Sequence, residues 1–309
     1  ETMLKYIIKK LLGLIPLIMG AMFIVFMLFH LSPECPAVFA LGQDSTPAAQ
    51  WEWREVRGLN DPALIQYVRY MANAFTGDFG NSFRNNISIS QEVLQRFPNT
   101  LQLGFAALTA ALLLALPIGI IAAVKQNTWI DGVSMFIALV GISIPVFWLG
   151  LILVLSFTLR VGWLAGRQPW PIHWGLPIIT LGTAMLSAMI YSTRSSMLDI
   201  MREDYIRTAR AKGLSGGKII RKHVLRNALI PILEAFKVHL GTFLVSLLIT
   251  ETVFAWPGIG RLMIQGIAAR DYPMVLGCML MFIILFSVIK SLVDIAQAFI
   301  DPRIKEQYR

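Results

Sequence analysis

Charge is what this sequence has little of. Only 15% of its 309 residues are Asp, Glu, Lys or Arg, against about 25% in soluble globular domains. A chain so poor in charge could not cover its apolar surface in water, which excludes an ordinary soluble fold. Cysteine is nearly absent. Cys35 and Cys278 lie far apart, so no disulfide is expected and no cysteine metal cage can form. Histidine is scarce too, with His30, His173, His223 and His239 scattered along the chain. That sparsity argues against a metal centre or an embedded catalytic constellation. Acidic residues are the scarcer charge, 18 against 27 basic ones. A net +9 can mark a nucleic-acid binder. In an apolar chain it more often marks loops on the cytoplasmic face of a membrane.

What is present is hydrophobic sequence, 56% of residues, with a mean hydropathy of +0.65. Crossing roughly 30 Å of hydrocarbon takes about 20 apolar residues in a helix. Leu11 to Leu31, Thr100 to Val124, Val133 to Leu159 and Gly175 to Thr193 are uncharged runs of that size. A fifth span runs from about Ile232 to Phe254, with Glu234, Lys237 and His239 near one end and Glu251 near the other. A sixth runs from about Pro273 to Ile289. The first run is longer than the 7–15-residue core of a signal peptide and lacks a small-x-small site. Pro117, Gly141 and Pro145 fall inside spans, where neighbouring helices can re-satisfy the backbone. Glu1 and Thr2 ahead of Met3 read as an added remnant or an unusual start. The expected fold is an all-α polytopic membrane protein with six transmembrane helices.

With the N-terminus inside, 18 of the 27 basic residues fall on inner segments, including every lysine. The positive-inside rule then places both termini in the cytoplasm. The organisation follows: 1–31 as tail and first span, 32–98 as an extracytoplasmic segment, 99–300 as a five-helix core, and 301–309 as a cytoplasmic tail. Within the outer segment, Asp61-Pro62 can open a helix with Leu64, Val68 and Met71 on one face. Within the core, 194–237 is a basic cytoplasmic loop.

That loop carries the strongest pattern. Glu203-Asp204-Tyr205-Ile206-Arg207-Thr208-Ala209-Arg210-Ala211-Lys212 opens acidic and closes basic, as a helix macrodipole favours. Gly213 is placed to cap it at C′, before Leu214 and Ser215, and positive φ is expected there. A second helix should run from Lys218 to about Ala228. A solvated basic loop would account for the charge. It would not account for the small residues Thr208, Ala209 and Ala211 or for the tight glycine turn, which suit a short helix docking closely on a partner.

The loop resembles the "EAA" loop of ABC-importer permeases, in the form found in the peptide and nickel uptake family. Arg207, Thr208 and Ala209 stand at the Glu-Ala-Ala places, and Leu225-Arg226 stands where Leu-Pro is usual. The stretch Glu251-Thr252-Val253-Phe254-Ala255-Trp256-Pro257-Gly258-Ile259-Gly260-Arg261-Leu262 resembles the family's signature at the outer end of span five. Arg270-Asp271-Tyr272-Pro273, Gly77-Asp78-Phe79-Gly80-Asn81-Ser82, and Asp294 with Phe299-Ile300-Asp301-Pro302-Arg303 resemble further family segments, so the likeness spans nearly the whole chain. It implies a machine in which this chain and a second homologous permease form the path. Two cytoplasmic ATPases bind ATP and Mg, and an extracytoplasmic binding protein delivers peptide or a similar solute. The chain itself would be embedded in the inner-membrane bilayer, carry no cofactor, bind no nucleic acid and catalyse nothing. Glu203, Tyr205, Arg207, Thr208, Ala209, Arg210, Ala211, Lys212, Gly213 and Leu214 would couple to an ATPase. Glu251, Phe254, Trp256, Pro257 and Gly258 would lie on the path or its outer gate, with Pro257 fixing its φ and Gly258 free to take a positive one.

Three other patterns compete. Leu214-Ser215-Gly216-Gly217-Lys218 looks like the signature of the ATPase subunits, but no Gly-Lys-Ser/Thr follows a glycine-rich loop anywhere. Those residues read as a turn. His30, Glu34 and Cys35 are close enough to suggest nickel, yet three scattered ligands at a turn more often sit at an interface. Glu251 stands between two readings, a carboxylate reaching water or Arg261 and an intramembrane functional group. An ion-driven secondary transporter is the rival function, and it would show internal repeats, of which none is evident.

Overall fold

A computed structural model describes residues 2–31, 36–42, 44–161 and 172–300. The expectations for Glu34, Cys35, the His173 side chain and the 301–309 tail lie outside the described residues. The described chain is helical: α1 (Thr2–His30), α2 (Pro36–Leu41), α3 (Pro47–Val56), α4 (Ala63–Phe75), α5 (Ile89–Val124), α6 (Trp129–Ser143), α7 (Val146–Val161), α8 (Ile172–Met201), α9 (Asp204–Ala211), α10 (Gly216–Ile219), α11 (Leu225–Val253), α12 (Ile259–Ala268) and α13 (Tyr272–Ile300). Among the described residues there is no strand, only an isolated bridge between Asn81 and Ser88. Five of these helical stretches are long and apolar enough to cross a membrane, and α6 with α7 makes a sixth where the bent pair crosses as one span.

The chain divides into two units. One is drawn from Glu1–Tyr6, Leu101–Phe254 and Lys290–Arg309, the other from Ile7–Thr100 and Ala255–Ile289.

In the first unit α8 packs against α6, α7 and α11. Lipid offers no hydrophobic drive for helices to associate, so close approach through small residues does that work. A Cβ on Gly141 would overlap Ser187 Oγ, and one on Gly119 would lie 2.7 Å from Thr193 Cβ. Gly141 is therefore a packing residue and not a breaker. Polar ties reinforce the contacts. Arg194 donates from Nε and Nη2 to the two carboxylate oxygens of Asp131, at 2.5 and 2.7 Å, joining α8 to α6. Lys237 Nζ donates to Glu234 Oε1 at 2.7 Å, Asp294 Oδ1 at 2.7 Å and Gln297 Oε1 at 2.8 Å, joining α11 to the end of α13.

The third span departs from expectation. It is not one helix but two, bent by 93° between α6 and α7. The cause is Pro145. Its ring disfavours helical geometry in the residue before it, and Ile144 is extended at φ −82°, ψ 119°. The α6 ladder ends with Ile144 N–H on Val140 O, and α7 starts with Leu149 N–H on Pro145 O. Pro117, in contrast, is absorbed within an unbroken α5. The fifth span also differs. The second loop helix starts at Gly216 and passes through a π-helical segment, Ile220–Val224, directly into α11. The expected break near Ala228 does not occur, and Pro231 sits inside α11.

In the second unit, α4 is the helix expected after Asp61-Pro62, with a different face inward. Tyr67 and Met71 are buried, while Leu64 is 61% exposed and Val68 is 58% exposed. Tyr67 Oη donates to Met19 O in α1 at 2.7 Å, and Phe23 meets its ring edge-on at 5.2 Å. Ahead of it, α3 has Thr46 as N-cap, its hydroxyl accepting Ala49 N–H at 3.3 Å, the favoured use of threonine there.

Candidate functional site

The α9 hairpin is built as a projecting element. Asp204 sits in its first turn and Arg210 in its last, each favourable against the helix dipole. Glu203 is the N-cap, extended at φ −64° and ψ 145°, with no side-chain cap bond. At the other end Gly213 N–H bonds Arg210 O at 2.9 Å and Leu214 N–H bonds Ala209 O at 3.4 Å. Those two bonds, with Gly213 at φ +75°, form a Schellman motif that satisfies the terminal carbonyls and turns the chain sharply. The residue expected to take positive φ does so.

Two residues of α9 face inward, Ile206 and Ala209, three apart and buried. The helix packs against α10, where Ile219 is also buried. Ala209 therefore serves the chain's own packing, not an approach from outside. The exposed positions are Glu203, Asp204, Tyr205, Arg207, Thr208, Arg210, Ala211, Lys212 and Gly213, with Leu214 half-buried. Tyr205 is 42% exposed and its hydroxyl accepts from Asn227 Nδ2 at 3.0 Å. The same amide donates to His223 O at 2.9 Å. Asn227 thus holds the aromatic ring against the start of α11, a support the sequence reading missed. The Arg207–Asp204 pair, 3.5 Å apart and exposed on both sides, contributes little to stability.

The 251–258 stretch divides between the units. In the first, Glu251 is fully buried in α11, so its carboxylate does not reach water. Beside it, a Cβ on Gly150 would come within 3.2 Å of Val253 and 3.4 Å of Phe254, so α7 approaches this helix end closely. In the second, the turn after α11 is fastened to the first turns of α5. Trp256 Nε1 donates to Asn99 O at 3.0 Å, Asn99 Nδ2 donates to Pro257 O at 3.0 Å, and Ile259 N–H donates to Thr100 Oγ1 at 2.9 Å. The positive φ of this turn falls on Ala255, at 52°. Gly258 is extended, at φ −100° and ψ 178°, so its freedom to take a positive φ is not used here. Trp256 is half-buried and Pro257 exposed.

Two other motif stretches meet in the second unit. Ser82 Oγ donates to Asp271 Oδ2, and Phe83 N–H donates to Asp271 Oδ1 at 3.1 Å. Asp271 is buried, so this carboxylate organises the glycine-rich 77–82 segment around the corner before α13. Among the described residues no three His, Cys, Asp or Glu side chains are grouped to hold a metal ion.

Residues 115–306 match the family described as "Binding-protein-dependent transport system inner membrane component", and residues 3–104 match its N-terminal family. The dipeptide transport system permease protein DppB of Alkalihalophilus pseudofirmus is 40% identical over 332 residues, covering 98% of this chain and 100% of that one. The glutathione transport system permease protein GsiC of Escherichia coli K12 is 40% identical over 305 residues, covering 98% and 99%. Among solved structures, an inward-facing MetNI methionine ABC transporter chain matches with a TM-score of 0.57 at 20% identity, covering 68% of this chain and 97% of that one. A chain of an amino acid ABC transporter crystallised with histidines gives 0.52 at 18% identity, covering 67% and 94%. These two likenesses concern the fold.

Proposed function

The chain belongs to the family of binding-protein-dependent transport system inner membrane components, and from that premise we propose that it passes a short peptide or peptide-like solute and engages a cytoplasmic ATPase through α9. It is a permease subunit of an ABC importer, a transport component and not an enzyme. Subunits of this kind work with ATPases and a substrate-binding protein, which sets aside the ion-driven transporter.

The finer assembly is part of the proposal. One homologous permease completes the path, and two ATPases bind the ATP and Mg that this chain does not. Both termini and α9 face the cytoplasm. The solute class follows from relatives named for dipeptide and for glutathione, both short peptides.

The observation that carries the ATPase contact is the shape of α9. It is a short basic helix closed by a Schellman turn, with Tyr205 and Lys212 on its exposed side. An aromatic flanked by cations is a common anchor for a partner with an acidic rim. Glu251, Phe254, Trp256, Pro257 and Gly258 are proposed for the path or its outer gate, because a fully buried carboxylate in a span is costly unless it serves function. Glu251→Gln should lower transport more than it lowers assembly, and unchanged uptake at equal protein level would remove it from the mechanism. The function itself is tested in vesicles holding the whole complex with its binding protein. Labelled dipeptide should accumulate only with ATP on the ATPase side. Accumulation driven by an ion gradient without ATP would overturn the reading.

A further inference from the structure

The second unit contains a cavity of about 410 Å³, lined by none of the residues proposed for the path or the ATPase contact. Its volume falls in the range of small-molecule sites. Phe26 and Phe29, from the last turns of α1, and Tyr272 and Leu276, from the first turns of α13, line its apolar part. Those are the ends of two membrane-crossing helices, so this part lies where acyl chains meet headgroups. Arg54 and Arg57 from α3 and Arg69 from α4 line the rest, and no described lining residue is acidic.

The arginines are held, and most of their donors are left over. Arg54 Nη2 donates to Leu59 O at 3.4 Å. The Arg57 guanidinium stacks over the Trp53 ring at 4.1 Å. Arg69 Nη2 pairs with Asp61 Oδ2 at 2.5 Å, and its Nη1 lies over Gly58, where a Cβ would overlap it. A guanidinium offers five N–H donors in a rigid fork that suits phosphate. Tyr70 adds an aromatic wall to the cavity, with its hydroxyl buried beneath that wall.

We propose that this cavity binds an anionic amphiphile, namely the headgroup end of an acidic membrane phospholipid. The phosphate meets Arg54 and Arg57, and the upper acyl segment rests on Phe26, Phe29 and Tyr272. The lipid source is favoured over a free phosphate because the span ends contribute an apolar wall, Phe26, Phe29, Tyr272 and Leu276. A bound lipid would tie the α3–α4 arm to the leaflet it faces.

The test uses the complete transporter complex, extracted from nanodiscs of equal phosphatidylglycerol and phosphatidylcholine and weighed by native mass spectrometry. The wild type should retain phosphatidylglycerol about tenfold over phosphatidylcholine, the scale of one or two charge-assisted hydrogen bonds. Arg54→Gln with Arg57→Gln should erase that preference. Arg57→Gln alone should lower the preference several-fold. Equal retention of the two lipids by the wild type overturns the proposal, and so does an undiminished preference in the double arginine variant. Glycerol 3-phosphate competing at the lipid's own affinity overturns the lipid source in favour of a free phosphate. If the double arginine variant does not assemble, the wild-type preference and Arg57→Gln decide alone.

Discussion

Gly213 shows how much one residue can decide. No atom lies within 4 Å of the place its Cβ would occupy, so neighbours do not forbid a side chain there. The backbone does, because φ is +75° and left-handed geometry costs an L-residue about 1–2 kcal/mol, more if β-branched. Gly213→Val should reach the membrane and leave basal ATP hydrolysis intact, while binding-protein-stimulated hydrolysis and transport fall severalfold. Gly213→Asn, which tolerates this region, should stay near wild type. Ala211→Trp adds bulk on the exposed side of α9 and should also uncouple, whereas the same change at buried Ala209 would disturb the hairpin itself. Normal coupled transport by both Gly213→Val and Ala211→Trp would end the docking reading. A second residue-scale test concerns Asp131 and Arg194, paired through two bonds with Asp131 almost fully buried. Removing one partner strands a buried charge, at a cost of about 3–5 kcal/mol. Asp131→Asn and Arg194→Gln should each lower the unfolding midpoint, and the double variant should recover much of the loss. Additive losses would mean the pair is not coupled.

At the scale of elements, legibility depended on whether partners were local. The uncharged runs in α1, α5, α8 and α13 could be located because hydropathy is a property of consecutive residues. So could the glycine stop of α9, whose signal lies within four positions. The start of α11 could not. Glu234 and Lys237 look like the edge of a span, yet Lys237 is neutralised by Asp294, 57 residues on, and helix continues past both. The same holds for Asn99 and Thr100, which read as the polar start of a span until their bonds to the Trp256–Ile259 turn are seen. Pro145 shows a different limit, since Pro117 is equally apolar in context and breaks nothing. The α6–α7 corner yields a prediction of its own. If Pro145 sets the 93° bend, Pro145→Ala restores an N–H and releases Ile144, and the corner should sample straighter forms. Spin labels at the exposed positions Phe136 and Ile152 should give one narrow distance in the wild type and gain a longer population in the variant. An unchanged narrow distribution would assign the bend to packing on α8 instead.

That corner also governs the topology of the whole molecule. At 15 and 16 residues, α6 and α7 reach only about 22–24 Å each, short of the roughly 30 Å hydrocarbon core. Either they cross as one bent span, giving six crossings with both termini on one side, or they enter and return, giving five. With the N-terminus inside, the two cases differ in where α9 lies. Six crossings put it in the cytoplasm. Five would expose the cluster from Arg194 to Lys237 on the outside, against the positive-inside bias and away from any ATPase. Single cysteines replacing the exposed residues Glu52, Gln126 and Lys212, in a background lacking Cys35 and Cys278, separate the cases with an impermeant reagent on intact cells. Six crossings predict labelling at 52 and protection at 126 and 212 until the membrane is opened. Labelling at 52 and 212 with protection at 126 would make α6–α7 re-entrant, and it would remove the ATPase contact proposed for α9 with it.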